Sequence, residues 1–321
     1  MNSITEIAEQ LHLTDNFIII GHAIPDGDCI GSMLGLYWAL KANKKEVRMV
    51  LSGDVPAIYH YLAGWEEIRP PEELVPGEEN IIFLDCADRE RVGDKILQRI
   101  ENRPVFINID HHLQDKPYAA YNYVNPVAAA TGEIIFNLVQ ALKIEITPGI
   151  ADCLYAAILM DTGRFMNNNT TPTTMRVAAE LIDLGADIDQ ARVNLFESKS
   201  HLEVLLLGQA LKHIEFSEDG RIAWMSLPYE EVKLIDALDF HPEGIINYTR
   251  MIAGVEVGLL FREIEPGVVK IGFRSKENTN VAAIARAFNG GGHRQAAGAR
   301  QEGNLEEVRE QVINMVKDVI T

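Results

Sequence analysis

Apolar residues follow two rhythms along this chain. Short unbroken runs, NFIIIG from Asn16, EVRMVL from Glu46, NIIFLD from Asn80 and PVFINID from Pro104, read as strands buried on both faces. Between them and after them the spacing becomes helical, first in CIGSMLGLYWALKAN from Cys29. It continues in AAATGEIIFNLVQAL, GIADCLYAAILMDTGRF and TPTTMRVAAELIDLG, where Thr171 and Pro172 form an N-cap and first helical position. Strands alternating with helices predict an α/β fold with a parallel sheet and flanking helices.

A different grammar starts further on. RIAWMSL, VEVGLLFREI and VVKIGFRS read as strands, the last two joined by a turn at Glu265-Pro266-Gly267. A helix in TNVAAIARAF runs into NGGGHRQAAGA, and an amphipathic helix follows. The polar stretch DIDQARVNLFESKSH mixes helix and connector, so residues 187–204 are expected to link a domain at 1–186 to one at 205–321. The length, 321 residues, supports two domains, since single cores stop growing near ~250–300 residues.

Each early strand ends in chemistry. His22, Asp26 and Asp28 follow the first, Asp85 ends another, and Asp110-His111-His112 end a third. Ligands of open α/β sheets bind beyond the carboxyl ends of the strands, so these residues are expected at one edge, with Asp161 brought there by its helix. An isolated Asp or His has a plain structural reading, and for Asp110 alone that reading is favoured. Several carboxylates converging without cations is costly. The set His22, Asp26, Asp28, Asp85, His111 and Asp161 therefore reads as a metal site. Oxygen-rich, with imidazole and without sulfur, it suits Mn²⁺ or Mg²⁺ better than zinc, and its size suits two ions. Cys29, Cys86 and Cys153 are scattered, with no CxxC pair, and read as small buried hydrophobes.

Charge narrows the substrate. The net charge is −18, so no broad basic face awaits a long nucleic acid, and an anionic substrate must be held locally. No apolar run approaches the ~20 residues of a membrane span, and the N-terminus lacks a secretory pattern, so a cytoplasmic protein with no membrane partner is expected.

Together HAIPDGDCIGS, the strand-ending Asp85, DHH and DTG resemble the DHH phosphoesterase superfamily, in family order. The glycine-rich NGGGHRQAAGA resembles the GGGH motif of the DHHA1 domain. The resemblance implies a parallel-sheet DHH domain plus a smaller α/β DHHA1 domain, with the active site in the cleft between them. It assigns His22, Asp26 and Asp85 to one ion and Asp28, Asp85, His111 and Asp161 to the other, Asp85 bridging. Asp110 would orient its neighbours, and His112 would contact the reacting phosphate or protonate the leaving oxygen. Gly290, Gly291 and Gly292 would present backbone N–H groups to phosphate, beside His293, Arg274 and Lys276. Arg262 reads as a surface arginine if its strand alternates normally.

A chain of this size, lacking the additional nucleic-acid-binding domains of processive RecJ-type exonucleases and the transmembrane segments of membrane-bound relatives, is similar to the compact nanoRNase/pAp phosphatase group. That implies hydrolysis of short oligoribonucleotides and of 3′-phosphoadenosine 5′-phosphate (pAp), with two divalent cations, Mn²⁺ first. The assembly state stays open, a homodimer included. A soluble phosphodiesterase for cyclic di-AMP or pApA is the alternative within the class. A non-catalytic nucleotide-sensing module is the alternative outside it, and that reading predicts missing ligands where all are present.

Overall fold

The structure, a computed structural model, describes all residues except 75, 76, 78, 79, 101, 102, 115, 239, 241–243, 277, 278 and 321, and the side chain of His293 lies outside the described atoms. The chain divides into two compact units, Met1–Ser198 and Lys199–Thr321. Of the stretch 187–204, Ile188–Phe196 is helix and His201 begins the next one.

Unit 1 contains β1 (Phe17–Ile20), β2 (Val47–Val50), β3 (Ile68–Arg69), β4 (Asn80–Leu84), β5 (Val105–Asp110) and β6 (Tyr121–Val124). They form one sheet in the order β3-β2-β1-β4-β5-β6. Every pairing in it is parallel. The helices are α1 (Ile4–Leu13), α2 (Gly27–Ala42), α3 (Asp94–Arg99), α4 (Thr131–Ala141), α5 (Pro148–Asp161), α6 (Pro172–Asp183) and α7 (Ile188–Phe196). The run Phe17–Ile20 shows why the strands carry no alternation: Phe17 and Ile19 face the core beneath α2, α4 and α5, and Ile18 and Ile20 face a second core containing Ile96 of α3. Both faces are dry, so both must be apolar.

Strand order reverses between β1 and β4, the kind of switch point at which open α/β sheets bind ligands beyond the carboxyl ends of their strands. Glycine brings α5 and the helix that follows β1 together at this edge. A Cβ at Gly31 would lie 2.3 Å from the Cys153 carbonyl oxygen, and one at Gly35 would lie 2.5 Å from Leu154. Bare backbone at i and i+4 on α2 lets α5 approach closely. Asp161, the last residue of α5, thereby arrives beside the first turn of α2. The three cysteines are free and buried, as small hydrophobes would be.

Unit 2 contains α8 (His201–Lys212), β7 (Ile214–Phe216), β8 (Ile222–Leu227), α9 (Tyr229–Leu234), α10 (Asn247–Arg250), β9 (Val257–Glu265), β10 (Val268–Ser275), α11 (Val281–Ala287), β11 (Gly291–His293), β12 (Ala296–Glu302) and α12 (Leu305–Ile320). Its sheet runs β11-β12-β10-β9-β8-β7, with β8 and β9 parallel and the other pairs antiparallel. Leu259, Phe261, Ile271 and Phe273 pack beneath α11 and α12. On the opposite face Leu260 joins Met225, Leu227, Val232 and Ile246 in a smaller cluster.

Arg262 departs from the surface role its strand position suggested. It is 4% exposed and donates to the carbonyl oxygens of Phe240, Ala237 and Leu238. The segment after α9 lies over this part of the sheet, so the face that alternation left open is covered. Among the described residues no helix is long and apolar enough to cross a membrane.

Candidate metal centre

The residues that end β1, β4 and β5 converge. His22 Nε2 lies 3.3 Å from an Asp85 oxygen and 3.7 Å from Asp26. His111 Nε2 lies 3.7 Å from Asp28, 3.7 Å from Asp85 and 3.8 Å from Asp161. His112 Nδ1 lies 3.4 Å from Asp85 and 2.9 Å from Asp110. Potential ligand atoms thus group as His22, Asp26 and Asp85, and as Asp28, His111 and Asp161, with Asp85 within reach of both imidazoles.

Asp26 is fixed from within its own motif, whereas Asp28, Asp85 and Asp161 are fixed by groups outside theirs. Asp26 caps α2 through the N–H groups of Asp28 and Cys29. Asp28 points across to the first turn of α4, where it accepts from Thr131 N at 2.6 Å and Gly132 N at 2.8 Å. A helix N-terminus favours an anion there. Asp85 accepts from the Thr131 hydroxyl, and Asn169 donates its side-chain amide to Asp161. Thr131, Gly132 and Asn169 were missed in the sequence reading. A Thr-Gly pair opening the helix at AAATGE is the signal that could have found the first two. Asp85 has φ +58°, in the left-handed region that Asp tolerates better than most residues. Strained backbone of this kind is maintained where the surroundings over-determine it.

The electrostatics are those of a cluster short of positive charge. Burial, then Asp85, Asp161 and Asp26, push the Asp28 carboxyl well above its ordinary range. Burial also pushes Asp161 up to about 6, against the pull of His111. Burial disfavours a charged His22, yet hydrogen bonds to Asp26 and Asp85 push it up to about 12. Asp85 is buried too, and is nevertheless held low by His112 and His22.

His111 tests the fit to metal most sharply. Its Nδ1 is 3.4 Å from the Ala128 carbonyl oxygen, which leaves Nε2 as the lone-pair nitrogen. That Nε2 is buried and has no hydrogen-bond partner, although three carboxylates face it. An orphaned imidazole nitrogen among carboxylate oxygens fits a divalent cation.

Asp110 and His112 stand beside the cluster. Asp110 is fully buried and accepts from both the backbone N–H and Nδ1 of His112, as well as from Gln114. The Asp110 hydrogen bond, then that of Asp85, pushes His112 up to about 10. The His112 side chain is 43% exposed, against 11% for His111.

The expected phosphate groups lie in unit 2 and are unequal. Arg274 is half-buried on β10, and its guanidinium donates to the Phe273 carbonyl. Lys276 is exposed and donates to the Ile252 carbonyl at 3.0 Å. The glycine-rich segment is a hairpin: Gly291 pairs with Gly298 and Gly292 with Ala297. The N–H of Gly290 donates to the Ala285 carbonyl and so closes α11. Of the three consecutive glycines, Gly291 and Gly292 are exposed and Gly290 is partly buried.

Comparison with known proteins agrees with this architecture. The profile of the DHH family N-terminal domain matches residues 16–158, and that of the DHHA1 domain matches residues 243–321. The bifunctional oligoribonuclease and PAP phosphatase NrnA of Thermus thermophilus is 36% identical over 318 residues, 98% of this chain and 94% of that protein. Among solved structures, an exopolyphosphatase-related protein from Bacteroides fragilis superposes with a TM-score of 0.88 at 27% identity, covering 98% of this chain and 96% of that one. Exonuclease RecJ bound to manganese shares the fold at a TM-score of 0.51 and 14% identity, covering 97% of this chain and 94% of that one. With both domains matched in order and a relative this similar over nearly its full length, the chain belongs to the DHH family of phosphoesterases, in its DHH–DHHA1 form.

Proposed function

We propose that this protein is a metal-dependent phosphoester hydrolase that degrades short oligoribonucleotides to mononucleotides and dephosphorylates pAp. One observation carries the chemistry: the buried, partnerless His111 Nε2 faces the oxygens of Asp28, Asp85 and Asp161. The substrate class is supported by the relationship over nearly the whole chain to an oligoribonuclease and PAP phosphatase.

In this reading His22, Asp26 and Asp85 hold one cation, and Asp28, Asp85, His111 and Asp161 hold the other. Mn²⁺ is the ion that this oxygen-rich set with two imidazoles suits, with Mg²⁺ second. A pair of such ions supplies charge neutralisation and Lewis-acid polarisation of the phosphoryl group. The remaining work falls to side chains. Asp110 fixes the His112 ring through Nδ1, leaving Nε2 to carry a proton towards the departing oxygen. Thr131, Gly132 and Asn169 hold the carboxylates in place before any substrate arrives. Arg274, Gly291, Gly292 and His293 bind the nucleotide, Arg274 through its two-pronged guanidinium. Gly290 and Lys276 contribute less, since an N–H of one and the ammonium of the other already donate to backbone carbonyls.

The test is turnover of pAp, di- to pentanucleotides and cyclic di-AMP side by side with Mn²⁺. The proposal expects pAp and the short oligomers to be consumed and the rate to fall steeply for longer strands. Faster turnover of cyclic di-AMP would assign the protein to cyclic-dinucleotide hydrolysis. Turnover of none of them would remove the enzymatic reading.

A further inference from the structure

A chain of polar side chains next to His112 has no task in the hydrolytic reading so far. β5 ends at Asp110, and the loop after it turns back so that Gln114 and Tyr118 reach the backbone of Cys86, the residue that follows Asp85. Gln114 Nε2 donates to the Cys86 carbonyl at 3.3 Å and to Asp110 Oδ2 at 3.0 Å. Tyr118 donates its hydroxyl to the same carbonyl at 2.6 Å and lies 2.7 Å from Asn108 Oδ1. Cys86, Asn108 and Asp110 are fully buried, so bulk water cannot stand in for these donors.

The chemistry of each member fixes how it points. Both partners of the Gln114 amide are acceptors, a carbonyl and a carboxylate, so its NH2 group faces them and both protons are used. Gln114 Oε1 stays buried and without a partner among the described residues, so the side chain is held for what its nitrogen does. Burial pushes the Tyr118 phenol up, and the hydroxyl keeps the proton it donates. The Tyr118 backbone is pinned too: its N–H and that of Ala119 donate to the Asn122 side-chain oxygen. Two needs meet at the Cys86 carbonyl. It anchors the amide that holds Asp110, and it lies just past Asp85, whose φ of +58° persists only where neighbours over-determine it.

We propose that Gln114 and Tyr118 are positioning residues for the reaction: by tying Asp110 to the Cys86 carbonyl, they set the His112 ring in register with the Asp85 carboxylate. The inference rests on the reading of His112 as the proton donor. His112 Nδ1 lies 2.9 Å from Asp110 and 3.4 Å from Asp85, so a turn of the Asp110 carboxylate moves the ring against the shared ligand. Among the described residues Gln114 is the one donor to Asp110 Oδ2, and without it that carboxylate is free to turn. In the reaction water attacks phosphorus and the bond from phosphorus to the ribose oxygen breaks. The Nε2 proton of His112 passes to that oxygen, and the proton released by the water restores the ring. The transfer needs a heavy-atom distance of about 2.6–3.2 Å, and a misplacement of about 1 Å can cost about 10²-fold. Gln114 and Tyr118 act through Asp110 and His112, not on the substrate.

The experiment places Gln114→Met, which keeps the length and loses both protons, and Tyr118→Phe, which loses only the hydroxyl, in the Mn²⁺-loaded full chain. Turnover is measured on pAp, whose ribose oxygen must be protonated, and on a p-nitrophenyl ester of a nucleotide, whose phenolate leaves without a proton. Gln114→Met is expected to lower kcat for pAp about tenfold, with KM and bound Mn²⁺ unchanged, and kcat for the p-nitrophenyl ester less than about twofold. Tyr118→Phe is expected to show the same pattern at about threefold. In a His112→Ala background Gln114→Met is expected to cost nothing further. Equal loss on both substrates, a full additional loss in that background, or unchanged kcat in both variants overturns the positioning role. A second arm follows the His112 Nδ1 proton by NMR in histidine-labelled protein in chelator, the resonance being assigned by its absence from His112→Ala. It is expected to shift and to exchange faster in both variants, and an unchanged resonance overturns the proposal. If the wild type hydrolyses neither substrate, the proposed function fails, and the NMR arm alone decides whether Gln114 and Tyr118 hold the ring.

Discussion

The two units handle charge in opposite ways. In unit 1 the carboxylates of Asp28, Asp85 and Asp110 are all but fully buried and are answered by imidazoles, backbone N–H groups and hydroxyls of the same unit. In unit 2 the guanidiniums of Arg250 and Arg294 are exposed, and among the described residues neither has a hydrogen-bond or ion-pair partner. Burying like charges is expensive, so the first arrangement has to be imposed by the fold and relieved by something bound. Leaving cations in water costs little, so the second needs no such relief. A net charge of −18 conceals this division, because it averages a buried acidic centre with exposed arginines.

Breaking the first arrangement is expected to have the largest effect. Asp85→Asn keeps a residue that tolerates positive φ, so the fold should survive, while activity should fall by about a thousandfold or more as the shared ligand is lost. Near-normal turnover of that variant in saturating Mn²⁺ would sink the assignment. Next come the adjacent histidines. His112→Ala should lower kcat by about 10²–10³ while bound metal is retained, and His111→Ala should lower the bound metal itself. Equal metal loss in both would contradict the division between them.

The placement of these two histidines was only half legible in the sequence. Alternation along a strand puts neighbours on opposite sides, but β5 ends at Asp110, and beyond it the two imidazoles lie 4.3 Å apart and both reach Asp85. The buried strands and the convergence of their ends were readable, because uninterrupted apolar runs and strand-end acids are local signals. Contacts between distant segments were not. Nothing in DGDCIGS announces that Asp28 rests on the first turn of α4, more than a hundred residues away. Short strands escaped for a related reason: Ile68–Arg69 and Gly291–His293 are held by their partners' hydrogen bonds, with hardly any apolar pattern of their own. Arg262 was misread because alternation reports a strand's two faces without saying what later covers them.

Smaller effects sharpen the comparison from the other side. Arg274→Ala should raise KM for pAp by about tenfold and disturb kcat less, as the loss of a binding contact does. The pH response of the metal-free protein is the mildest test. With Asp161 pushed up to about 6 from an ordinary 3.8, the folded state keeps a proton that the unfolded chain has already released, so its contribution to stability falls as pH rises across that window. Metal-free Asp161→Asn should therefore gain in Tm relative to the wild type by a few degrees between about pH 4.5 and 6.5. A parallel pair of Tm profiles would show that Asp161 carries no such burden.

The most direct measurement is Mn²⁺ binding to the full-length wild type, followed alongside turnover of pAp. The account predicts about two ions per chain, activity that appears only as they bind, and abolition of both by chelator. Full turnover of pAp in excess chelator, or saturation of activity with no Mn²⁺ bound, would contradict it.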